Sequence, residues 1–137
     1  MRRLVQTVLV PLLLTLMVLS LAACQRVGNA RAEFCQSLRE VGAQAVELKS
    51  VKVDQPADQL RTKVENLQEV KKNLDRLARL TPIPGLDKLD SAIDGVTQGL
   101  AQASGNTLGS AAASINAAGD QLLQTYNEVN DAVCAAK

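Results

Sequence analysis

Apolar residues return every three or four positions along most of this chain, and each interruption of the stripe is polar or rich in proline and glycine. Phe34, Leu38, Val41, Ala45 and Leu48 share one helical face, which predicts a first helix over about residues 30–50 with Asn29 as its N-cap. A polar stretch from Val51 to Gln55 leads to Pro56, whose fixed φ and missing N–H suit a first helical turn. Leu60, Val64, Leu67, Val70, Leu74, Leu77 and Leu80 then mark a second helix over about 56–80. Thr81-Pro82-Ile83-Pro84-Gly85 breaks the backbone ladder.

Beyond that break Leu86, Leu89, Ile93, Val96, Leu100 and Ala103 predict a third helix over about 85–103. Gly105 and Thr107 read as the end of one helix and the cap of the next. Leu108, Ala112, Ile115, Gly119, Leu122, Tyr126, Val129 and Val133 place the fourth helix over about 107–135. No segment alternates with the period of a strand. The expected fold is all-α, an antiparallel up-down four-helix bundle over residues 30–137.

The stretch before the bundle has a different pattern. Met1-Arg2-Arg3 precedes a run of Leu and Val that ends in Leu21-Ala22-Ala23-Cys24, the order of a cationic start, an apolar middle and a small-residue cleavage site. The four residues resemble the lipobox of bacterial lipoproteins. In that family the cysteine is joined through sulfur to diacylglycerol, the signal is cut before it, and the new amino terminus is often acylated. The resemblance implies cleavage between Ala23 and Cys24, a signal peptide over 1–23, lipidation at Cys24 and a short tether over 24–29. The competing reading is an uncleaved anchor, since Leu4 to Ala23 is about the 20 residues a membrane helix needs. Pro11, Gln6, Thr7 and Thr15 weaken that reading.

The chain has three cysteines, and an exported protein with an odd thiol calls for an explanation. Lipid on Cys24 would supply one and leave Cys35 and Cys134 as a pair in an oxidising compartment. Cys35 lies early in the first helix and Cys134 late in the fourth, which an up-down bundle brings to the same end. Each also follows a core position, Phe34 and Val133. A disulfide between them is expected, closing a loop of about 98 residues and stabilising the fold by roughly 4 to 5 kcal/mol. Two buried free thiols are the plainer alternative.

Removal of residues 1–23 from 137 leaves 114, enough for one domain, and takes the cations from 15 to 13 against 14 acids. The near balance, with a single Phe and a single Tyr, argues against a nucleic-acid partner. There is no histidine, so the commonest general base and metal ligand is missing. No glycine-rich loop follows a strand and no CxxC occurs. The expectation is a non-enzyme with no cofactor, no metal and no catalytic residues.

Charge is unevenly placed. The second helix carries Arg61, Lys63, Lys71, Lys72, Arg76 and Arg79, whereas the third and fourth carry Asp87, Asp90, Asp94, Asp120, Glu128 and Asp131. Complementary faces of neighbouring helices explain this most simply, each exposed pair contributing little; contact with anionic headgroups or an acidic polymer is the functional alternative. Asp87, Asp90 and Asp94 fall on one helix face, but no loop surrounds them to complete a calcium site, so a solvated face is expected.

The mature part also resembles small cysteine-clamped helical domains of bacterial envelope lipoproteins, a likeness of pattern and cysteine placement that brings no assigned activity. The lipobox resemblance implies a protein held to the cell membrane or outer membrane on the extracytoplasmic face, and with no catalytic set in the chain the expected role is a non-catalytic interaction or structural module. Partners would be the membrane through Cys24 and an envelope protein or a second copy of the chain. The alternative is a carrier for an apolar or lipidic ligand, with Ala111, Ala112, Ala118 and Gly119 leaving room between helices. Gln25 to Asn29 reach at most about 17 Å, so the bundle would stand close to the membrane. The Cys35/Cys134 end and the 81–85 loop would face the lipid, with the far loops on the order of 30 to 40 Å above it.

Overall fold

The computed structural model describes residues 28–135, which are helical apart from three connections and the final residue. Among the described residues helix α1 covers 28–48, α2 Ala57–Ala78, α3 Leu86–Ala101 and α4 Ala111–Val129, and α4 continues into a π turn over Asn130–Cys134. Among the described residues no strand occurs. Ala23 and Cys24 lie outside them.

The predicted stripes form the core. Phe34, Leu38, Val41, Ala45 and Leu48 from α1 are buried, as are Leu60, Val64, Leu67, Leu74 and Leu77 from α2. They join Leu89, Ile93, Val96 and Leu100 of α3 and Ala112, Ile115, Leu122 and Val129 of α4 in a single cluster. Each fully buried Leu or Ile contributes roughly 1.5 to 3 kcal/mol relative to exposure, so the stripes supply the main driving force.

Contacts between neighbours run in opposite directions along each pair. From α1 to α2 they pass through Glu33–Arg76, Ser37–Asn73 and Glu47–Lys63. From α2 to α3 they pass through Gln68–Thr97 and Lys71–Asp94, and from α3 to α4 through Lys88–Glu128 and Gln102–Ser114. The last helix closes on the first through Cys35–Cys134 and Val51–Asn116. These pairings describe antiparallel neighbours arranged as a closed bundle of four.

Helix ends depart from expectation in instructive ways. Asn29 does not cap α1, because residues 28 and 29 are already helical. Ala30, one turn before Phe34, is buried and extends the apolar stripe backwards. Pro56 precedes α2 with an extended ψ of 127°, so the helix begins at Ala57. That helix ends at Ala78, which carries Leu80 off the stripe and leaves it 62% exposed. Gly85 takes a φ of 81° directly before Leu86, a left-handed turn that the absence of a Cβ allows.

The fourth helix starts at Ala111 rather than near 107. Residues 107–110 instead strap the loop that follows α1: Leu108 N–H donates to Gln55 O (3.1 Å) and Gly109 N–H to Val53 O (2.9 Å). Ala57 N–H donates to Asn106 O at 2.9 Å, and Pro56 forms an isolated antiparallel bridge with Thr107. Leu108 is nevertheless buried, at 1% exposure. It keeps its place in the apolar period while its backbone bonds to another loop.

Candidate functional site

The described residues present two built ends and one polar seam. At one end, Cys35 and Cys134 are joined, with Sγ atoms at 2.04 Å, Cα atoms 5.7 Å apart and a sequence separation of 99. The π turn that carries Cys134 ends with Ala135 N–H donating to Asn130 O at 2.9 Å. Arg31, one turn before Cys35, donates from Nε to the Val133 carbonyl at 2.9 Å and from Nη2 to the same oxygen. A cation thus satisfies a carbonyl in the last turn of α4, where the helix dipole is negative. No local pattern marks Arg31, since its partner lies 102 positions away.

The α2–α3 connection lies at this same end. Arg31, Thr81, Ile83, Pro84, Ala132 and Val133 border a shallow recess of about 180 Å³. Thr81 Oγ1 is buried there without a hydrogen-bond partner. The opposite end is closed by the strap described above and by one side chain, Asn116. Its Oδ1 accepts from Val51 N–H (2.9 Å) and its Nδ2 donates to Val51 O (3.2 Å), so a single amide satisfies both backbone groups.

The polar seam runs between α2 and α3. Lys71 Nζ donates to both Asp94 oxygens, at 2.8 and 2.9 Å. The bond to Lys71 holds the Asp94 carboxyl below its ordinary range, against the opposing effect of burial. Burial alone would lower the Lys71 pKa, but the hydrogen bond and the charges of Asp94, Asp90 and Asp75 outweigh it and raise it. Asp90 is pushed up to about 6, first by burial and then by the Asp75 charge beside it, with Lys71 offsetting part of the rise. Its Oδ1 is buried with no hydrogen-bond partner among the described residues.

The row of Asp87, Asp90 and Asp94 is therefore divided among different neighbours. Asp94 turns to Lys71, Asp90 faces Asp75, and Asp87 borders an open groove of about 400 Å³ between α3 and α4 with Lys88, Ser91, Gln124 and Glu128. A solvated face describes Asp87 and does not describe Asp90. No group of three ligating side chains that could hold a metal ion occurs among the described residues.

Of the small residues expected to leave room for a ligand, Gly119 packs closely on α1 and Ala118 is half-buried. A Cβ on Gly119 would lie 2.6 Å from Lys49 N and 2.8 Å from Leu48 C, so the backbones of α4 and α1 already touch. Ala111 and Ala112 are buried at 1% and 3% exposure. The Tyr126 ring covers Gly42, where a Cβ would meet it at 2.7 Å. No described helix is long and apolar enough to cross a membrane.

Comparison of the chain with protein-family models, curated proteins and solved structures finds no match. What the fold defines is a class: a small all-α bundle whose first and last helices are joined by a disulfide. Its function is argued from its own residues.

Proposed function

We propose that this protein is an extracytoplasmic lipoprotein, anchored by lipid on Cys24, whose helical bundle acts as a non-catalytic interaction or structural module of the cell envelope. The observation that carries the reading is the division of the cysteines. Cys35 and Cys134 are joined to each other, which leaves Cys24, the last residue of Leu21-Ala22-Ala23-Cys24, as the one thiol to be accounted for. A disulfide spanning nearly the whole bundle suits an oxidising compartment. Lipid attachment suits the odd cysteine.

The close approach of α1 and α4 at Gly119 supports a module whose interior is occupied by its own side chains. Four ion pairs join neighbouring helices, Glu33–Arg76, Glu47–Lys63, Lys71–Asp94 and Lys88–Glu128. Partners then have the strap end to meet, where Val53 is 64% exposed. Two experiments test the reading. Cys24→Ala in intact cells is expected to accumulate precursor or to move the protein out of the membrane fraction, and unchanged acyl labelling would sink it. A photocrosslinker at Val53 or Gly105 is expected to capture a defined envelope partner or a second copy.

A further inference from the structure

Leu80 is the most exposed apolar residue at the disulfide end, and it begins the segment Leu80-Thr81-Pro82-Ile83-Pro84. Pro82 and Pro84 are exposed and Ile83 is half-buried beside Val133. Within this loop only Thr81 and Ile83 have backbone N–H groups without a partner among the described residues. Two of its five residues are prolines without an N–H, and Leu80 N–H already donates to Leu77 O at 3.0 Å. A loop with few free backbone donors loses little when water is removed from it. Arg79, directly before Leu80, is exposed and forms no ion pair with the described residues.

The position of the loop relative to the rest of the chain argues for its occupant. Residue 28, the first described residue of α1, lies at this end, and the loop shares a recess with Arg31, one turn further on. From Cys24 to residue 28 an extended chain reaches only about 14 Å. A lipid on Cys24 therefore keeps the loop within one short tether of the bilayer surface. Leu80, Pro82 and Ile83 would meet its apolar boundary, with Arg79 at the depth of anionic headgroups.

We infer that the Leu80–Pro84 loop is a membrane-contacting surface, seated on the bilayer that holds the anchor and fixing the bundle upright with its strap end outward. The inference rests on lipidation at Cys24. The chain contains no tryptophan, so one introduced residue reports its own surroundings. Full-length Leu80→Trp, Pro82→Trp and Val53→Trp proteins, made in a lipidating bacterium, are reconstituted into phosphatidylcholine–phosphatidylglycerol vesicles with brominated acyl chains. Intact mass first establishes acylation.

On acylated protein, the indole of the Leu80→Trp and Pro82→Trp variants is expected to emit to the blue and to lose most of its intensity to bromine. The indole of Val53→Trp is expected to keep its aqueous emission and intensity. Acylated Leu80→Trp and Pro82→Trp proteins whose indoles stay as solvated as that of Val53→Trp overturn the surface while leaving the anchor intact. Equal quenching in all three variants overturns it too. Absence of the acyl mass overturns the anchor reading itself. Either loop variant suffices if the other does not fold.

Discussion

At the end where α1 begins, the first and last helices are held by a covalent bond, a guanidinium and a widened helical turn. At the far end the same two helices are held by a glycine contact, one asparagine and a strap of backbone hydrogen bonds. The covalent end resists separation without needing much buried area, and it sits where the chain would enter from the membrane. The far end obtains closure from groups that must each find a partner. Comparison of the two indicates where force from a tether would be borne and where the molecule is free to yield to a partner.

Breaking the covalent end should have the largest effect. Cys35→Ser is expected to cost about 4 to 5 kcal/mol on the chain-entropy account. Denaturant unfolding with and without reductant measures this, and an unchanged midpoint would contradict a structural role for the clamp. Thiol labelling of unfolded, unreduced protein should find neither Cys35 nor Cys134 free.

At the far end, Gly119→Ala places a Cβ against the backbone of Leu48 and Lys49, which cannot turn aside as a side chain would. Overpacking is expected to cost about 1 to 3 kcal/mol, more than offsetting the better helix propensity of alanine, about 1 kcal/mol. Gly42→Ala makes an informative partner, since its nearest contacts would be ring atoms of half-buried Tyr126, a side chain rather than backbone. It should cost less. If the two alanines cost the same, the far end does not depend on backbone contact.

Asn116→Ala should be milder, about 1 to 2 kcal/mol, because it leaves Val51 N–H and O without their shared partner. Amide exchange should quicken in residues 51–57 and 106–109 and remain slow around Cys35. Loss of protection at both ends together would show that they open as one unit.

The smallest effect concerns pH. The folded-state pKa of Asp90, pushed up to about 6, lies above its unfolded value, so the fold binds this proton more tightly. Its stabilising contribution is complete below about pH 4 and is lost as pH rises through about 6. Asp94 has the opposite sign, its contribution being lost only as pH falls through its depressed value. Thermal melts should therefore show stability declining from about pH 4.5 to about 7, and Asp90→Asn should flatten that slope. An unchanged slope would remove Asp90 from the account.

Much of the fold was legible in the stripes, because burial of apolar surface decides which face of each helix turns inward. Phe34 through Leu48 and Leu86 through Leu100 needed no tertiary information. Leu80 misled, since periodicity does not say where a helix stops. Thr107 to Ser110 misled in another way: Leu108 keeps apolar period inside a strap whose hydrogen-bond partners, Val53 and Gln55, lie more than fifty positions earlier. The disulfide was reachable because cysteine parity and topology pointed the same way.

The rest of the site was hidden for a common reason. Arg31 with Val133, Asn116 with Val51, and Asp90 with Asp75 are pairings between separate elements, and nothing in the flanking residues marks either member. Exposure of Leu80 came from structure alone, and it sharpened the expected lipid-facing loop into a particular contact surface. The polar row on α3 illustrates the limit of reading one helix by itself, since groups on α2 shift Asp90 and Asp94 in opposite directions.

The central claim, that this bundle is tethered through its covalently clamped end, is tested most directly by the mass of the amino-terminal peptide from protein isolated in membranes. The account predicts that this peptide begins at Cys24 and carries diacylglycerol on its sulfur. A peptide that begins at Met1, or one that begins at Cys24 with an unmodified thiol, would contradict it.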